Sequence, residues 1–215
     1  MQDVFSNFDL VVRAFLLTLA LLAVSGLISL ILGLMLAAFR VAPVPVLRWF
    51  GTGYVGVFRN TPLLIIFIFV FFGLPRMEIN FPFFVKGCLA LSLYTAAFVC
   101  EAIRSGVNSI PLGQAEAARA IGLTFSRTMS EVVLPQAVRA VVPPLASVMI
   151  ALAKNTSVAA GFGLMELTGR MRFFTNNNVA DRWWIFLTFA LAYVIIVELI
   201  SSGAITLERR WRTAR

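Results

Sequence analysis

Residues 113–135 read GQAEAARAIGLTFSRTMSEVVLP, the one long interval poor in large apolar residues, with strongly hydrophobic segments on both sides. Glu116 to Ile121 is built mainly of Ala, Glu and Arg, strong helix formers. Gly113 is placed to cap that helix, which would put Glu116 in the first turn, where a carboxylate suits the helix dipole. Gly122 stands where a left-handed residue ends a helix at little steric cost. Thr124 can cap a second helix from about Phe125 to Val133, and Pro135 opens the run into the next hydrophobic segment. The interval therefore predicts a helix–turn–helix. Isolated helices need roughly 12–15 residues to persist in water, so this one needs a surface to lie on. Its small face (Ala115, Ala118, Ala120) lets such a surface approach closely. From the residues alone, the alternative is an ordinary amphipathic interfacial linker.

The segments around the interval set the class. The chain has 215 residues, 60% hydrophobic and 13% charged, with a mean hydropathy of +0.91, against about 25% charged in soluble domains. Five apolar segments, at about 10–39, 54–74, 83–103, 136–160 and 183–207, approach or exceed the ~20 residues that cross a bilayer. The expectation is an all-α integral membrane protein, a single membrane domain over 1–215, with the polar loop at about 109–135. The first segment is too long for a signal-peptide core. Gly26 and Gly33 within it are expected points of close helix packing.

The formal charge of +8 does not indicate nucleic acid, because the basic residues are scattered between apolar spans. They are read as cytoplasmic loops facing anionic lipid headgroups. Placing the N-terminus outside puts Arg40, Arg48, Arg104, Arg119, Arg127, Arg139, Arg209, Arg210, Arg212 and Arg215 inside. Only Arg76, Lys86, Arg170, Arg172 and Arg182 then lie outside. Asp3 and Asp9 precede the first segment without a basic residue. The bias predicts N-out, C-in, with 113–135 in the cytoplasm. There is no His, and Cys88 and Cys100 share one apolar segment. A metal site, a His base, a disulfide framework and a catalytic role are therefore not supported. No G-x-x-x-x-G-K-[ST] loop occurs, so ATP, if used, is bound by another polypeptide.

Polar groups at membrane depth are costly, about 2.5–3.5 kcal/mol for a central charge on insertion scales, so each needs a partner or a role. Lys154, Asn155, Thr156 and Ser157 form the strongest intramembrane candidate for a substrate path; the alternative is a snorkelling or paired lysine. Arg59 and Thr61 carry the same two readings. Tyr94 could donate its hydroxyl to substrate or simply pack. Glu101 and Arg104, three apart on one helical face, are expected to pair. Glu198 is read as buried and paired. The outer stretch 161–181, with Arg170, Arg172 and Asn176–Asn178, could meet another protein or lie at the interface.

Glu116-Ala117-Ala118, then Gly122, then Val132-x-Leu134-Pro135 resembles the EAA loop of the membrane-spanning subunits of ATP-binding cassette importers. Only Val132 departs from the usual Ile. Arg59-Asn60-Thr61-Pro62-Leu63-Leu64, with Asn60 for the commoner Gly, is similar to polar amino acid permeases. So are Tyr94-Thr95-Ala96, Glu101-x-x-Arg104, Ile110-Pro111-x-Gly113-Gln114, Leu134-Pro135-Gln136-Ala137-x-Arg139 and Lys154-Asn155-Thr156-Ser157. The resemblance covers roughly 10–207 and implies the type I importer permease fold in a prokaryotic cytoplasmic membrane. It implies ATPase-coupling roles for Gly113, Gln114, Glu116, Ala117, Ala118, Arg119, Gly122, Leu134 and Pro135. It also implies an ATPase dimer carrying ATP and Mg, a second permease subunit (identical or homologous) and an extracytoplasmic amino-acid-binding protein. The Asn form of the Arg-Asn-Thr-Pro segment looks most like glutamate-type permeases, so glutamate, glutamine or aspartate is the expected substrate, with arginine or histidine the alternative. The rival reading is an autonomous carrier or channel using Glu101, Lys154 and Glu198 as an ion relay.

Overall fold

The computed structural model describes residue 4 and residues 6–213, with the side chains of 211–213 outside the description; Asp3, Arg212 and Arg215 of the charge argument lie outside it too. The described residues are helical, in the order α1 (Phe8–Val41), α2 (Pro45–Asn60), α3 (Leu63–Arg76), α4 (Phe83–Asn108), α5 (Leu112–Ala120), α6 (Phe125–Phe162), α7 (Leu167–Asn177) and α8 (Arg182–Thr213). Among them, α1, α4, α6 and α8 are each long and apolar enough to cross a membrane.

The expected span at about 54–74 is not one straight helix. α2 and α3 meet at an angle of 103°. Pro62 lacks an N–H and pushes Thr61 into extended backbone (φ −97°, ψ 128°), as a residue before proline must go. The break leaves carbonyls at the end of α2 without helical partners. Asn60 Nδ2 donates to the Gly56 carbonyl (2.7 Å) and Thr61 Oγ1 to the Val57 carbonyl (2.8 Å), and both carbonyls lie in the last turn and a half. The Arg-Asn-Thr-Pro segment is thus a self-capped corner. The preceding link is as short as Pro43 and Pro45 suggest, with Pro45 at the first turn of α2, where its missing N–H has no intrahelical partner to lose.

Two helices widen to π turns, at Phe69–Gly73 and Thr128–Val133. Pro75 follows the first and Pro135 the second. A proline ring clashes with the carbonyl four residues back, and the wider turn accommodates that without ending the helix. α6 consequently runs from Phe125 through Pro135, Pro143 and Pro144 to a 3-10 turn ending at Phe162. Ser147 Oγ donates to the Pro143 carbonyl (3.2 Å).

α4 is the central helix, packed on α1 along one side and on α6 along another. Gly33 meets Val99 on α4, whereas Gly26 has only ordinary contacts with Met149 and Leu152. The buried core groups Leu21, Phe67, Leu91 and Leu152 at one level and Leu36, Val55, Ala96 and Cys100 at another. α1 keeps Leu16, Leu27, Ile31 and Leu34 exposed, the distribution expected of a helix wetted by lipid.

Candidate functional site: a surface helix–turn–helix and two cavities

α5 begins after Pro111, not at Gly113, and has no acidic residue in its first turn. Gly113 therefore lies within the helix and Glu116 two positions further along than the sequence predicts, in the second turn, because Pro111 takes the cap position and Leu112 the first helical position. The far end is as read from the sequence. Gly122 has φ +89°, Leu123 N–H donates to the Ala118 carbonyl (3.2 Å) and Gly122 N–H to the Arg119 carbonyl (3.0 Å). Those two bonds are a Schellman closure. Thr124 Oγ1 then accepts from Arg127 N–H (3.4 Å) and caps α6.

Ala118 is buried where α5 lies on the Thr128–Val133 turn. Gly113, Gln114, Glu116, Ala117, Arg119, Gly122, Leu134 and Pro135 are all exposed. So are three large apolar side chains: Leu112 at 81%, Ile121 at 80% and Phe125 at 74%.

α6 carries this segment into the membrane. A cavity of about 340 Å³ is lined by Tyr94, Thr95 and Phe98 of α4 and by Ser147, Val148, Ala151, Leu152 and Asn155 of α6. Ser147, Ala151 and Asn155 recur at i, i+4 and i+8, so they line one face of one rod. The four residues 154–157 do not lie together. Asn155 reaches the cavity, but Lys154 is exposed away from it. Thr156 is buried and donates to the Ala153 carbonyl (2.7 Å); Ser157 donates to the Lys154 carbonyl (2.7 Å). Helical side chains at four successive positions point in four directions, which is why they separate.

A second cavity, about 370 Å³, is lined by Arg40, Thr52, Val55, Gly56, Arg59, Asn60, Phe98 and Glu101. Thr61 is absent from that lining and commits its hydroxyl proton to α2. Glu101 pairs with Arg104 as expected, through both Nε (3.2 Å) and Nη2 (2.9 Å) to Oε2. The structure adds Arg40, hydrogen-bonded to Oε1, and Arg59, 3.7 Å from Oε2. Arg40 lies 61 positions away, so spacing offered no sign of it. Glu198, read as buried, is exposed on α8, with no partner among the described residues.

Sequence reasoning also missed Glu166. It is fully buried and caps α7, its Oε1 accepting from Gly169 N–H (2.9 Å) and Oε2 from Thr168 N–H (3.0 Å) and the Tyr193 hydroxyl (2.7 Å). Burial pushes its carboxyl above the usual carboxylate range, against the pull of those donors. Leu167 N–H donates to Thr18 Oγ1 (3.1 Å), tying α7 to α1. Glutamate is an uncommon N-cap, so local pattern did not mark it.

Comparison with known proteins agrees with this geometry. Residues 29–213 match the family described as "Binding-protein-dependent transport system inner membrane component". The chain is similar to a probable glutamine ABC transporter permease protein, GlnM, of Bacillus subtilis, at 37% identity over 96% of this chain and 95% of the relative. It is also similar to a glutamate transport system permease protein, GluC, of Corynebacterium efficiens, at 39% identity over 88% and 89%. A crystal structure of an amino acid ABC transporter with histidines superposes with a TM-score of 0.89 at 26% identity, covering 97% of each chain. An inward-facing MetNI methionine ABC transporter shares the fold, with a TM-score of 0.73 at 22% identity over 95% of this chain and 97% of that one. The fold is that of the type I ABC importer permeases, and the chain belongs to the binding-protein-dependent transport system inner membrane component family.

Proposed function

We propose that this chain is a membrane-spanning subunit of an ATP-driven importer of a polar amino acid, with glutamate, glutamine or aspartate as substrate. One observation carries the mechanism. The exposed helix–turn–helix is continuous, through α6, with the wall of the Tyr94–Asn155 cavity. A separate ATPase dimer holding ATP and Mg grips the segment at Glu116, Ala117, Arg119 and Gly122 and covers Leu112, Ile121 and Phe125. Its closure displaces α6 as a unit and changes the cavity on which Ser147 and Asn155 open. Tyr94 and Asn155 offer hydroxyl and amide groups to a zwitterion. Gly113, Gln114, Leu134 and Pro135 complete the docking surface, which faces the cytoplasm in the N-out, C-in arrangement.

The glutamine and glutamate transport named for the Bacillus and Corynebacterium relatives supports the substrate class. A second permease subunit, identical or homologous, closes the open side of the cavity. An extracytoplasmic binding protein delivers substrate at the opposite end, where Met165, Phe173 and Trp183 are exposed. The ion-relay reading has less support: Glu101 is held by arginines, while Lys154 and Glu198 are exposed.

The test is reconstitution with the ATPase, the partner permease and the binding protein. Glu116→Lys and Gly122→Asp should abolish uptake and substrate-stimulated ATP hydrolysis while leaving membrane insertion intact; unchanged uptake refutes the coupling role. Preferential carriage of arginine or histidine overturns the substrate class, and uptake without the ATPase overturns the importer.

A further inference from the structure

The two cavities share one wall residue, Phe98. Tyr94, Phe98 and Glu101 stand at i, i+4 and i+7, a single stripe on α4 that rises about 10 Å along the axis. The Tyr94 and Phe98 rings touch, centroids 4.8 Å apart, and the Arg59 guanidinium lies 5.8 Å from the centre of the Phe98 ring. Along the stripe from Tyr94 toward the end of α4 that leads into α5, the first cavity, Phe98 and the second cavity follow in that order.

Charge distinguishes that second cavity. Arg40 donates to Glu101 Oε1 and Arg104 donates twice to Oε2, so both oxygens already hold closer guanidinium partners than Arg59, which stands 3.7 Å from Oε2. The cavity's charged lining is therefore Arg40, Arg59 and Glu101, an excess of one positive charge, with Arg104 adding a further cation on Glu101 from outside the lining. Arg59 is the cation left outside hydrogen-bond range, its side chain 45% exposed. A guanidinium so placed presents a fork of N–H donors suited to a carboxylate.

We infer that Phe98 is the inner gate of the transport cavity and that Arg59, behind it, receives the substrate's side-chain carboxylate, favouring acidic over amide amino acids on the way out. This rests on the amino-acid importer reading above. Gate and receiver are neighbours: a swing of the Phe98 ring breaks its cation–π contact with Arg59.

The test uses the complete importer in liposomes, with radiolabelled glutamate and glutamine. Arg59→Gln should lower the glutamate-to-glutamine uptake ratio about tenfold, the loss expected for one charge-assisted contact, and Arg59→Lys should restore part of it. Phe98→Ala should let preloaded amino acid leak out with no nucleotide present. An unchanged ratio in Arg59→Gln overturns the inference, whether uptake of both falls together, as for a merely structural arginine or one serving a lipid phosphate, or neither falls. A tight Phe98→Ala vesicle overturns the gate. If the wild-type importer carries neither of these nor aspartate, the proposed substrate class itself fails, and the inference with it.

Discussion

Gly106 on α4 lies so close to Val141 on α6 that a Cβ on the glycine would stand 2.4 Å from the valine Cγ2 and 2.7 Å from its Cα. Two backbones that near cannot be separated by a rotamer change. The crossing holds the cavity-lining part of α6 against Tyr94 and Phe98, and it lies one to two turns from Ser147.

Gly106→Val should therefore force the helices apart. Overpacking of this kind costs about 1–3 kcal/mol, and here the obstacle includes main chain. Thermal unfolding of the detergent-solubilised complex should begin at lower temperature, with Gly106→Ala intermediate between wild type and valine.

Gly122 has the left-handed conformation that closes α5. A branched residue there is strained by about 1–2 kcal/mol, whereas asparagine tolerates the region. Gly122→Val should lower ATP-driven uptake markedly and Gly122→Asn only slightly, with equal amounts of protein in the membrane. Equal activities would show that the Schellman closure is not what the coupling needs.

Glu101 ties the ends of α1 and α4 through Arg40, both side chains only 18% exposed. Removing the carboxylate leaves the guanidinium groups uncompensated. Glu101→Gln should destabilise the complex by about 1–3 kcal/mol, below the 3–5 seen when a deeply buried pair loses one partner. In a double-mutant cycle with Arg40→Gln, the second change should cost much less than the first, since the pair acts as one unit.

Glu166 holds three donors. Glu166→Ala orphans the Thr168 and Gly169 N–H groups, at about 1–3 kcal/mol for each buried group left unpaired, while the Tyr193 hydroxyl keeps its 3.0 Å hydrogen bond with Thr168 Oγ1. Glu166→Gln retains an acceptor and Tyr193→Phe removes one donor, so both should be milder. Limited proteolysis between α6 and α8 reports the order: alanine most cleaved, phenylalanine and glutamine less.

How much was legible from residues alone follows from the range of each interaction. Helix propensity, the turn at Gly122 and the cap at Thr124 act within a few positions, so they can be read in order along the chain. Apolar runs report the membrane because a spanning helix must satisfy lipid over its whole length. The start of α5 was misplaced at Gly113 because Pro111 competes for the same boundary. Hydropathy marks the apolar segment at about 54–74 but is blind to direction: the corner at Thr61–Pro62 leaves the apolar count untouched while turning the chain by 103°. Lys154 to Ser157 were grouped by adjacency, yet a helix disperses adjacent residues around its axis.

Composition and local stereochemistry are enough to specify a helical membrane protein with a capped polar helix–turn–helix between two apolar helices. Only the tertiary structure decided that Asn155 meets Tyr94 across a cavity, that Phe98 divides that cavity from the arginines, and that Arg40 joins Glu101. Those pairings depend on how helices distant in sequence cross. The crossings are set by close contacts such as Gly106 on Val141, which no single segment encodes.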